Sequence, residues 1–146
     1  LTSASDIASL TVLSNPDISI LYIEDNPANL ILIQKVIEKK TAFRFLSASD
    51  PVSGLELASS EHPDLILLDI FLPVMDGYEV MKRLRANELT ATIPVVALSA
   101  NAMKADIDRG AEAGFSAYVS KPINIIDFLE QIAGVLENSF MKHEVH

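Results

Sequence analysis

Asp64 to Gly77 reads DLILLDIFLPVMDG. Its first part, Leu65 to Leu68, is apolar at every position and is closed by a carboxylate, Asp69; Pro73, Asp76 and Gly77 then mark a turn. A short run with no polar face, bounded by turn signals, reads as a central parallel strand buried on both sides. In an open α/β sheet the functional crevice lies beyond the C-terminal ends of such strands, which places Asp69 at its floor. Taken singly, an Asp after a strand is more readily the start of a solvated loop. The rest of the chain decides between the two.

Outward from this strand the same unit recurs. Upstream, Ile18 to Ile23 is an apolar run that ends in Glu24-Asp25, followed by Asn26-Pro27, a capping residue with Pro at the first helical position. Leu30, Ile33 and Ile37 then repeat at helical spacing as far as Lys40. Phe43 to Ser47 reads as the second strand and Pro51 to Ser60 as a short helix. Downstream, Gly77 to Asn87 carries Val80, Met81 and Leu84 on one face, with Lys82, Arg83 and Arg85 in its C-terminal half, where cations complement the helix dipole. Ile93 to Ser99 is a fourth strand ending on a hydroxyl. The next helix, Ala102 to about Ala113, has a thin stripe of Met103, Ile107 and Ala111 with Gly110 in its body, and is expected to be the least firmly held. Ala117 to Ser120 is the fifth strand, followed by Lys121-Pro122; Asn124 then caps a last helix with Ile125, Phe128, Leu129, Ile132 and Leu136 inward. Five strands alternating with five helices imply an α/β fold, a doubly wound parallel sheet. Residues 17–137 make this one domain; 1–16 read as a linker or leader, or an appended turn of helix, and 138–146 as a short polar tail.

The 146 residues suit one domain, since about 100–200 residues is the usual range. The net charge of −9 argues against nucleic acid or an anionic membrane surface as partner, because both need a basic face. The chain has no cysteine, so disulfides, thiolate catalysis and Cys-based zinc sites are excluded. No run approaches the roughly 20 apolar residues of a membrane span, and the first residues are unlike a signal peptide. These features read as a cytoplasmic domain without direct membrane contact. His62 lies in a turn and His143 and His146 in the tail; none reads as a metal ligand or a phosphorylated histidine.

Glu24, Asp25, Asp69, Ser99 and Lys121 all fall at the C-terminal ends of different strands, hence on one edge of a parallel sheet. Three neighbouring carboxylates repel one another unless a hard cation joins them, and oxygen ligands with open positions suit Mg2+. With Mg2+ bound, Asp69 is placed to attack a phosphoryl group and form an acyl phosphate. Lys121 and the Ser99 hydroxyl would stabilise the phosphoryl oxygens. No general base is needed, because a carboxylate is already ionised near neutral pH.

Read together, YIEDNPAN, LLDIFLPVMDGYE, ALSA and AYVSKPI, in this order and spacing, resemble a response-regulator receiver domain over roughly Ile18 to Leu136. The resemblance implies a flavodoxin-like strand order of 2-1-3-4-5. It implies that Asp69 accepts phosphate from a phosphohistidine on a histidine kinase or a histidine phosphotransfer protein. Glu24, Asp25, Asp69 and the Phe71 backbone carbonyl would hold magnesium, and Lys121-Pro122 would be a cis peptide. Ser99 and Tyr118 would form a coupled switch reshaping the face of the fourth helix, fifth strand and fifth helix for a downstream effector protein. The family also accommodates a homodimer. It carries no classical enzyme activity beyond its own Mg2+-dependent phosphorylation and dephosphorylation. Two contexts fit, a single-domain regulator or the receiver of a hybrid histidine kinase, and the Leu1 start and polar leader favour the second slightly.

Two departures carry expectations. Glu24 stands where many members have Asp, and its extra methylene would shift it toward a water-mediated role. Phe71 and Asn101, two residues beyond Asp69 and Ser99, flank the path of an attacking water in the family, so a bulky Phe71 is expected to slow hydrolysis. Three rivals are weaker. A haloacid-dehalogenase phosphatase would need a second Asp where Phe71 stands. A flavodoxin-like cofactor module would need a Gly- or hydroxyl-rich phosphate loop after the first strand, where Glu24-Asp25 would repel a phosphate. A degenerate partner-binding receiver would lack phosphoryl-transfer residues that are all present here.

Overall fold

The computed structural model describes residues 4–100 and 103–144. The elements are α1 (Ala4–Leu13), β1 (Ser19–Ile23), α2 (Pro27–Lys40), β2 (Arg44–Ala48), α3 (Pro51–Glu61), β3 (Leu65–Asp69), α4 (Gly77–Ala86), β4 (Val95–Ser99), α5 (Lys104–Ala113), β5 (Ala117–Ser120) and α6 (Ile125–Glu144). All strand pairs are parallel and the order is β2-β1-β3-β4-β5, a flavodoxin-like, doubly wound sheet.

Alternation along each strand divides the core in two, because successive side chains point to opposite faces. Ile20 and Tyr22 of β1, Leu65 and Leu67 of β3, and Val96 and Leu98 of β4 pack with Ile33 and Ile37 of α2 and Phe128, Ile132 and Leu136 of α6. The intervening residues, Leu21, Ile23, Ile66, Leu68, Val95 and Ala97, pack with Ala58 of α3, Val80, Met81 and Leu84 of α4, and Phe115. Every residue of β1, β3 and β4 is buried, as the unbroken apolar runs predict.

Local chemistry starts the helices where the sequence places them. The Asn26 side chain accepts from the Ala28 and Asn29 amides, Asp50 from Ser53, Asp76 from Glu79, and Asn124 from Asp127. Pro27 and Pro51 occupy the first helical positions of α2 and α3. Strand β2 begins one residue later than expected, at Arg44, with Phe43 buried just before it.

Two expectations need correction. Residues 1–16 read as a linker or an appended turn of helix, and Ala4–Leu13 is a full helix of 10 residues; α6 runs to Glu144 instead of ending in a polar tail after Leu136. The described residues therefore hold six helices. The two segments pack against one another: Val12 and Leu13 join Phe140 against the first core cluster, and the Ala42 amide donates to the Leu13 carbonyl at 2.8 Å. Neither helix has an obvious partner in the sequence, and each supplies the other with apolar cover. The expected helix from Ala102 is observed from Lys104; Asn101 and Ala102 lie outside the described residues. Gly110 is its one buried residue, and Ile107 is 42% exposed, in keeping with the thin stripe.

Candidate phosphoacceptor site

The C-terminal ends of the parallel strands bring the expected residues together. Glu24 follows Tyr22 by two residues, and its amide donates to the Ala48 carbonyl at 3.0 Å, which carries it along the sheet edge. Asp69 pairs with Leu98 in the β3–β4 register, and Ser99 with Ser120 in the β4–β5 register. The Lys121 amide donates to the Ser99 carbonyl at 2.8 Å, and Lys121-Pro122 is a cis peptide. Carboxylate oxygens of Glu24, Asp25 and Asp69 all lie within 4.8 Å of one another. Glu24 and Asp69 are buried, whereas Asp25 is exposed, so the cluster opens to solvent on one side.

Lys121 is the cation that this cluster holds. Its Nζ is 3.1 Å from Asp69 Oδ2 and 3.8 Å from Glu24 Oε2. Asp69 Oδ1 accepts from the Phe71 amide at 3.0 Å, so the Asp69 carboxylate is held at both oxygens. Ser99 is wholly buried. Tyr118, half-buried, packs against the second core cluster beside Gly110, where a Cβ would come within 2.8 Å of the ring. That position must therefore stay glycine to keep the ring where it is. Arg109 lies 3.8 Å over the Tyr78 ring, which meets Phe115 edge-on.

The Glu24 carboxyl has its pKa pushed up to about 7. Burial is the main cause for Glu24, followed by its hydrogen bond with Asp69. The Tyr22 phenol is driven far upward by burial and then by Glu24 and Asp69, so it remains a donor. For the metal-free chain the sign is definite. The folded state holds the Glu24 proton more tightly than the unfolded state, so stability falls as pH rises between about 4.5 and 7. Thermal melts without metal should therefore show lower stability at pH 8 than at pH 5, with about 3 kcal/mol as a ceiling. Glu24→Gln should remove this slope; an unchanged slope in that variant would contradict the assignment.

Sequence reasoning missed two side chains that touch the cluster. Tyr22 Oη donates to Glu24 Oε2 at 3.3 Å, and Asn29 Nδ2 donates to Glu24 Oε1 at 3.0 Å. The signal for Tyr22 was available, since a polar tip two residues before Glu24 on one strand lies on the same face. Asn29 requires knowing how α2 leaves the sheet.

A parallel sheet with three carboxylates and a lysine gathered at its C-terminal edge defines an α/β module with an acidic, oxygen-donor pocket. The response regulator receiver domain model matches residues 20–133, and the chain belongs to that family, a receiver of two-component signalling. The polar-differentiation response regulator DivK of Brucella ovis is 41% identical over 118 residues, 81% of this chain and 95% of its own. DivK of Brucella anthropi is 39% identical over the same length. The receiver domain of sensor histidine kinase PA1611 from Pseudomonas aeruginosa PAO1, with a magnesium ion in its active-site cleft, is 30% identical. It superimposes with a TM-score of 0.74, covering 82% of this chain and 97% of that one. A response regulator from Desulfuromonas acetoxidans is 25% identical at a TM-score of 0.75, with the same coverage. Among the described residues no helix is long and apolar enough to cross a membrane.

Proposed function

We propose that this receiver takes a phosphoryl group onto Asp69 from a phosphohistidine of a histidine kinase or histidine phosphotransfer protein. The observation that carries the reading is the placing of Lys121 Nζ 3.1 Å from Asp69 within a cluster of three carboxylates. An all-oxygen donor set with one exposed member fits Mg2+, which would be held by Glu24, Asp25, Asp69 and the Phe71 carbonyl. When bound, the ion supplies charge neutralisation for the carboxylates and the phosphoryl oxygens.

An Asp69 carboxylate oxygen attacks phosphorus in line with the phosphorus–nitrogen bond of the donor. An oxygen–phosphorus bond forms as that bond breaks, and the electron pair leaves on the imidazole nitrogen, which takes a proton from solvent. Lys121 turns from the carboxylate toward the incoming oxygens, and Ser99 donates to one of them. Ser99 and Tyr118 then act as a switch on the face of α5, β5 and α6, where a downstream effector docks. Gly110, fitted against Tyr118, ties α5 to that ring.

A donor protein phosphorylated on histidine should lose its label to this chain with Mg2+ and keep it with a chelator. Transfer that ignores the chelator would contradict the reading. Phe71, 59% exposed beside the acceptor, screens the acyl phosphate from water. Phe71→Ala is expected to shorten the phosphorylated lifetime several-fold, and a rate of phosphate release no faster than the parent's would remove that role.

A further inference from the structure

Glu24 has one methylene and one torsion more than Asp, so a carboxylate on this longer arm reaches a fixed place only if something holds it. Two side chains from different elements do so. Tyr22 Oη, from the wholly buried end of β1, donates to Oε2 at 3.3 Å. Asn29 Nδ2, in the first turn of α2, donates to Oε1 at 3.0 Å, and the Asn26 amide donates to the same oxygen at 3.2 Å. Burial obliges the Tyr22 hydroxyl to find a partner. It obliges Asn29 to nothing, because that side chain is half-exposed and water could satisfy its amide. Asn29 nevertheless reaches back from the third helical position to the side chain of Glu24, past the Asn26 cap that serves its own amide.

We propose that Tyr22 and Asn29 are positioning residues for the cation site: they fix the Glu24 rotamer so that the free lone pairs of its carboxylate face Asp25 and Asp69. The proposal rests on the Mg2+-dependent reading above in taking Glu24 as a ligand. Neither residue touches the acceptor or the phosphoryl group; both act through Glu24. Supporting partners of this kind ordinarily change metal affinity by about 10–100-fold.

The test is a Mg2+ titration of the metal-free, unphosphorylated chain by calorimetry, with Tyr22→Phe and Asn29→Ala in the parent and in a Glu24→Asp background. Tyr22→Phe keeps the buried ring, and Asn29→Ala puts a better helix former at a half-exposed site, so both variants are expected to fold. Each should weaken Mg2+ about tenfold in the parent. With Glu24→Asp, the shorter arm has no need of the grip, and each should change affinity less than about twofold. Equal losses in both backgrounds, or none in the parent, would overturn the proposal while leaving the phosphoryl-transfer reading intact. A parent that binds no Mg2+ would overturn that reading and the positioning role with it.

Discussion

Lys121→Ala is expected to slow Mg2+-dependent phosphorylation by acetyl phosphate by about 10²–10³-fold while leaving the fold in place. The side chain is largely buried at the strand-end crevice, with its ammonium within 4 Å of both Asp69 and Glu24. In so largely buried a place a single preorganised cation counts for more than on the surface, and no other cation of the described residues makes an ion pair with the cluster. Removing it also leaves Glu24 and Asp69 without the one cation that pairs with them among the described residues. Metal-free Lys121→Ala should therefore melt below the parent, and it should bind Mg2+ more tightly, since the ion no longer competes with an ammonium. Initial rates of phosphoryl incorporation at saturating Mg2+ check the first point. A rate within about twofold of the parent would remove Lys121 from the chemistry.

Gly77→Ala is expected to cost about 2–3 kcal/mol of stability and to slow phosphorylation as well. A Cβ at this position would lie 2.8 Å from the Ile70 Cα and 3.1 Å from the Asp69 carbonyl oxygen, both backbone atoms that no rotamer change can move. The Gly77 amide also donates to the Ile70 carbonyl at 2.9 Å, closing the loop that follows Asp69. Relief would push residues 70–76 outward and carry the Phe71 amide away from Asp69 Oδ1. Gly134→Ala is the control: nothing lies within 4 Å of its Cβ, and in the body of α6 alanine should stabilise by about 0.5–1 kcal/mol. Urea unfolding of the two variants should move in opposite directions. A Gly77→Ala chain as stable as the parent would mean that the acceptor loop is not clamped as described.

The sheet was legible because its three central strands are buried on both faces and so carry unbroken apolar runs, and because Asn26 and Asn124 announce the helices they cap. The gathering of Glu24, Asp25, Asp69 and Lys121 followed from parallel topology alone: strand ends that share an edge share a site. Helix α1 and the last turns of α6 were hidden for the opposite reason. The apolar residues that they pack against the first core cluster, Val12, Leu13 and Phe140, meet only in three dimensions, so neither segment shows a complete face by itself. Of the grip on Glu24, only the Tyr22 half was legible, from its place two residues before Glu24 on the same face; Asn29 looks like any polar residue of a first helical turn.

The central claim, that Asp69 is a Mg2+-dependent phosphoryl acceptor, is tested most directly by intact mass after incubation with acetyl phosphate and Mg2+, with and without chelator, alongside Asp69→Asn. The account predicts a single phosphoryl adduct on the parent, lost with chelator and absent from the variant. A folded parent that takes up no phosphoryl group at saturating Mg2+, or an adduct that persists in Asp69→Asn, would contradict it.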